Sequence, residues 1–228
     1  MSLRTAVSAV AMSAVLAAPS DMPLRVGDVV TGAQSRVRVT NTSSQPVTAW
    51  SLAAISRTET GSHREVYSAD GYLSEVTHGL PGSNDRIERI MPGETREFPL
   101  DPLPPGSSVE AIAAVLDDGT GTGDEDALTA IFARRARERD ALKAVVDAFA
   151  DVLPATHGAE ALTALRERFT ALVQRDNSTP CRAALDAVQA YQQRTSAEQI
   201  DASLRSYADF VTREYELAAR HSRRKISN

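Results

Sequence analysis

"VEAIAAVLDDGTGTGDEDALTAIFARRARERD", residues 109–140, changes its periodicity halfway. Val109 to Leu116 is apolar at nearly every position, as a strand covered on both faces is. From Leu128 onward apolar residues recur three and four apart, the spacing of an amphipathic helix. Between the two lie three glycines and the carboxylates of Asp117, Asp118, Asp124, Glu125 and Asp126. The run fits none of the usual ligand loops. A phosphate cradle needs a lysine, and none is present. A dinucleotide loop needs a third glycine where Asp124 stands. An EF-hand beginning at Asp117 would have Gly119 and Gly121 where it needs acids. Two readings are left. One is a joint: glycines turn the chain, Thr122 or Asp124 caps a helix, and acids in the first turn gain ~0.3–1 kcal/mol each from the helix dipole. The other is a looser calcium or other metal site made from the same five carboxylates.

Upstream of the joint the pattern has period two. In "SRVRVTNTSSQPVTAW" Val37 and Val39 face one way and Arg36 and Arg38 the other. Asn41 to Pro46 reads as a turn and Val47 to Ile55 as the returning strand. Gly61 and Ser62 can turn a second hairpin. "DRIERI" alternates imperfectly, and "MPGE" (91–94) carries Pro and Gly where a type II turn wants them. "DPLPPGSS" is a corner that neither strand nor helix crosses, and "VEAIAAVL" reads as the last, central strand. About seven short strands with turns between them predict an antiparallel immunoglobulin-like sandwich. Trp50, the one tryptophan, is placed as its core anchor. The loop-rich segment holding Asp70, Tyr72 and His78 is the expected recognition surface.

Downstream, four helices are expected. The first, 124–152, has a charged middle, "ARRARERD", expected to leave the core and face solvent. The second covers roughly 159–174. The third starts with Thr179 as N-cap and Pro180 in the first helical position. The fourth opens on a capping box, Ser196 with Gln199, and ends in the basic "ARHSRRK", which suits the negative end of a helix dipole. The fold class is thus α+β, with a signal segment at 1–20, a sandwich over 21–120 and a helical region over 121–228.

"MSLRTAVSAVAMSAVLAAPS" has an early Arg4, an uncharged apolar stretch and a small-residue end, the pattern of a cleaved secretory signal. The stretch is shorter than the ~20 residues of a membrane span. Removing Arg4 leaves 24 basic and 30 acidic residues, so −6 against −5 for the whole chain, which argues against nucleic-acid binding. Hydrophobic residues make up 42% and charged residues 24%, a globular composition. The one cysteine, Cys181, excludes an intrachain disulfide and a cysteine cage for zinc. The basic residues are arginine save Lys143 and Lys225, as a GC-rich bacterial genome would encode. His63, His78, His157 and His221 form no ligand spacing, and no G-x-S-x-G elbow occurs. A thiol pair of Cys181 with His157 would need the helix N-terminus at Pro180 to lower the thiol pKa.

The runs "NTSSQPVTAWSL", "MPGE" and "VEAIAAVLDDGTGTGDEDALTAIFARR" together resemble a type of secreted bacterial immunoglobulin-like domain followed by helices, over residues 35–140. The resemblance implies an envelope location and no reaction, and its motifs carry over no catalytic residue. Three functions follow as expectations. The first is a non-enzymatic secreted or periplasmic protein whose sandwich presents loops and whose helical region binds a protein partner or itself, with no cofactor. The second is a metal-assisted hydrolase working from Asp117, Asp118, Asp124, Glu125 and Asp126. The third is a cytoplasmic helical adaptor that keeps residues 1–20.

Overall fold

The computed structural model describes residues 22–58, 61–73, 89–194 and 196–225. The expected signal segment, His78 and most of "DRIERI" lie outside them. The architecture is α+β, as the change in periodicity predicts. Among the described residues seven strands come first: β1 Leu24–Val30, β2 Ser35–Asn41, β3 Val47–Thr58, β4 Gly61–Asp70, β5 Thr95–Leu100, β6 Ser108–Leu116 and β7 Gly121–Gly123. Four helices follow: α1 Glu125–Val152, α2 Gly158–Arg175, α3 Thr179–Tyr191 and α4 Ala197–His221. The strands form two antiparallel sheets, ordered β1-β2-β5 and β4-β3-β6-β7. "VEAIAAVL" is therefore not the last strand. β7 follows it, and the sheet runs on to Gly123.

The apolar sides of both sheets share one core. Leu24, Val37 and Val39 from the first meet Trp50, Leu52, Ala111 and Ala114 from the second. Trp50 packs against Phe98 with ring centroids 4.8 Å apart and planes tilted by 46°, and it is buried between the sheets where an anchor is expected. The outward side chains of β2 stay in water and pair across strands, Arg36 with Glu97 at 3.1 Å. At "MPGE", Gly93 takes φ +74° and the Glu94 N–H donates to the Met91 carbonyl at 2.9 Å, as a type II turn requires.

The middle of the second sheet, β3 and β6, is covered on both faces, which is why these two strands lack polar alternation. Its other face presents Ala49, Ala113 and Val115 to Leu128, Ile131 and Phe132 of α1. Small side chains there admit a close helix. β6 alternates between the two faces, and a bulge at Ile112 moves Ala111 onto the face of Ala114, while Ala113 and Val115 point to the other.

The rest of α1 leaves the sheet and joins α2, α3 and α4 around a second core. Leu142, Val145, Phe149, Leu165, Phe169, Val188, Leu204 and Val211 fill it, and Phe149 meets Phe169 edge-on at 5.2 Å. Ser196 caps α4 as expected, its hydroxyl accepting from the Gln199 N–H. The N-cap of α3 is Ser178, one residue before the expected Thr179.

Candidate functional site

The joint is built by backbone geometry first. After β6 the chain turns at Asp117–Gly119, with the Gly119 N–H donating to the Leu116 carbonyl at 3.0 Å, and returns as β7. At Gly123 the backbone has φ +117°, and a Cβ would sit 2.1 Å from the Ile112 carbonyl oxygen. That same oxygen accepts from the Asp124 N–H at 2.7 Å. Glycine is thus required where the last strand peels off into the helix. Asp124 is the N-cap of α1, its carboxylate accepting from the Ala127 N–H at 2.9 Å, and Glu125 and Asp126 occupy the first turn.

The five carboxylates do not gather at one point. Asp117 binds Arg89 at 2.8 Å. Asp118 binds Lys225 at 2.8 Å and accepts from the Thr120 N–H. The Lys225 ammonium, followed by the Thr120 amide, holds its carboxyl down to about 2. Glu125 pairs with Arg224. Among the described residues no three His, Cys, Asp or Glu side chains are grouped as a metal ion needs. The basic tail thus does more than end a helix. Residues 222–225 run back along the acidic joint, the Lys225 N–H donating to the Gly119 carbonyl at 3.0 Å, with a parallel bridge between Thr120 and Lys225.

Under the joint lies a polar centre that sequence reasoning misplaced. "ARRARERD" was expected in solvent throughout, yet Arg135 is 1% exposed. The segment "ADGY" was expected on a recognition surface, yet the Asp70 side chain is 0% exposed and Tyr72 is buried. Arg135 Nε donates to Asp70 Oδ2 at 2.7 Å and Nη2 to Oδ1 at 2.9 Å, a two-pronged pair. Nη2 also donates to Thr48 Oγ1 at 3.1 Å, and Nη1 to the His221 carbonyl at 3.2 Å. The guanidinium lies 5.2 Å from the Tyr72 ring centroid, and Tyr72 faces the His221 ring at 4.4 Å. Asp70 Oδ1 accepts as well from the N–H groups of Tyr72 and Leu73. One guanidinium therefore ties β3, the end of β4, α1 and the end of α4 together.

A signal for it existed. Leu128, Arg135, Leu142 and Phe149 stand seven apart, so Arg135 occupies the buried stripe of α1 and not its outer face. An arginine on such a stripe needs a buried acid. Which acid depends on strand pairing and could not be read from spacing.

Cys181 and His157 have separate surroundings. Cys181 is buried beside Asp176 and Glu138, and burial pushes its thiol up, away from reactivity. His157 stands before α2 and faces Asp201 at 3.5 Å.

No family model matches the chain, and no curated protein matches it. A solved structure of a hypothetical protein from Peptoclostridium difficile 630 is similar over 47% of this chain and 89% of that one. The identity is 7% and the TM-score 0.32, so the likeness carries no argument. Among the described residues no helix is long and apolar enough to cross a membrane.

Proposed function

We propose that the chain is a non-catalytic secreted or periplasmic protein, an immunoglobulin-like sandwich locked to a four-helix bundle, which works by binding protein. The strand order β1-β2-β5 against β4-β3-β6-β7, with Trp50 between the sheets, supports the immunoglobulin-like reading. One observation carries the binding reading. β4 is the outermost strand of its sheet among the described residues, ten residues long, with Val66 49% exposed near its middle. An edge of that length offers its N–H and C=O groups to another strand. His63, Arg64 and Glu65 beside Val66 give it polarity enough to stay soluble alone.

The test has two arms. Sedimentation of the purified chain over a hundredfold range of concentration, alone and with envelope extract, should show a complex that Val66→Lys abolishes. A complex unaffected by V66K removes β4 as the surface, and no complex in either condition removes the binding reading. Fractionation of bacterial cells with N-terminal sequencing should find a new N-terminus near Asp21 outside the cytoplasm. Protein that keeps Met1 in the cytoplasm favours the adaptor.

A further inference from the structure

Resting on the reading of β4 as the binding edge, we infer that its partner is a second copy of this chain: two β4 strands meet antiparallel about a two-fold axis at Val66 and join their sheets into one. The edges of the two sheets, among the described residues, are β1, β5, β4 and β7. Three of them are blunted as lone edges usually are. A bulge between Val26 and Val29 breaks β1. β5 carries Pro99, which has no N–H to offer. β7 is three residues long, and the chain's basic end lies beside it, with a parallel bridge between Thr120 and Lys225. β4 has none of these devices. It is ten residues long, without proline or lysine, and its register with β3 runs unbroken from Gly61 to Asp70.

The phase of the hairpin sets which backbone groups are on offer. Thr58 pairs with Gly61 across a two-residue turn, so these two exchange both backbone hydrogen bonds, and the pattern alternates from there. Odd-numbered residues from Gly61 to Ala69 turn their N–H and C=O groups to β3. Ser62, Arg64, Val66 and Ser68 turn theirs outward, and the side chains of these four are exposed. The charges then choose the register. A two-fold axis must pass between one residue and its own copy, and axes at Glu65 or Val66 give a ten-residue strand its greatest overlap. At Glu65 the two carboxylates would stand directly opposite, where like charges repel. At Val66 no like charges are opposed. Arg64 faces Ser68, Glu65 faces the Tyr67 phenol, which can donate to it, and each of these pairs is made twice. Val66, 49% exposed in the single chain, is covered by its own copy.

Sedimentation equilibrium of the purified intact chain at rising concentration should give a mass that tends to twice that of the chain. Val66→Lys sets two ammonium groups across the axis and should raise the dissociation constant by about tenfold or more, whereas Val66→Ile keeps the dimer. Cysteine pairing reads the register. Val66→Cys should join its copy by a disulfide under mild oxidation, because a hydrogen-bonded antiparallel pair holds its Cα atoms ~5.5 Å apart. Arg64→Cys should not, since its copy lies four residues along, and the buried Cys181, shared by both variants, sets the background. Amide exchange of the native chain needs no variant to fold. Dilution should strip protection from the N–H groups of Arg64, Val66 and Ser68 and leave Glu65 and Tyr67 as they were. A native chain that stays monomeric at every concentration, a dimer as tight in V66K, equal disulfide yield in R64C, or exchange at β4 that ignores dilution overturns the inference. A chain monomeric alone that still forms a V66K-sensitive complex with envelope extract keeps β4 as the binding edge and removes only the second copy. No complex in either condition removes both.

Discussion

At the scale of single residues the molecule turns on Arg135 and Gly123. Arg135→Met takes the two-pronged partner from the buried Asp70 carboxylate and leaves it Arg134, 3.8 Å away, so the loss falls toward the low end of about 3–5 kcal/mol. Urea unfolding of the variant should show it as a midpoint shift at unchanged slope. Adding Asp70→Leu should return much of that loss, because a packed apolar pair is often as stable as a buried ion pair. Recovery stops short of complete, since Asp70 also accepts from the backbone N–H groups of Tyr72 and Leu73. If the double variant is weaker than both singles, the pair contributes more than its burial costs. Gly123→Ala faces a different penalty. Its φ of +117° is strained for any Cβ, at about 1–3 kcal/mol, before the clash with the Ile112 carbonyl is counted. A thermal melt that leaves the variant at native stability would refute the geometry of the joint.

At the scale of elements, α1 does two jobs. Its first turns cover the sheet and its last turns enter the bundle. Asp124→Ala removes the side-chain acceptor at its N-cap and should cost ~0.5–2 kcal/mol in chemical denaturation. The middle of the helix carries a second testable group. Burial, followed by Asp176, pushes the Glu138 carboxyl up, and its Oε1 is buried with no hydrogen-bond partner among the described residues. A raised carboxyl favours the neutral form in the folded state. Ionised Glu138 therefore destabilises the fold above its folded value, and the penalty vanishes as pH falls below the ordinary glutamate value of ~4.3. Glu138→Gln should raise the melting temperature at pH 7.5 and leave it unchanged at pH 4. A lower melting temperature for E138Q at neutral pH would show that the charge is held by a partner.

At the scale of the whole molecule, Arg135 and the α1–sheet contact join the sheets to the helical core. Trp50, the single tryptophan, reports the core between the sheets, and ellipticity at ~222 nm reports the helices, so two probes follow the two halves. Their urea transitions should coincide in the native chain, as for a two-state unit, and separate in Arg135→Met. Separate transitions in the native chain would mean independent domains. The elements themselves were legible: the β2 alternation, the "MPGE" turn, the Ser196 cap and the switch near residue 120 all follow from local backbone chemistry. The polar centre was only half legible. The place of Arg135 on the stripe is written in the heptad spacing of α1. Its partner Asp70 lies 65 residues away and reads as a loop acid until β4 is paired with β3.

The amino-acid order alone determined that strands come before helices and roughly where one gives way to the other, because periodicity, caps and glycine turns act over a few residues. Only the tertiary structure decided which charges are buried and which carboxylate each cation takes. An ion pair's strength depends on distance and on exclusion of water, and both are set by how remote segments pack. That is why a run of acids with the look of a ligand loop became the strip that the chain's own basic end lies against.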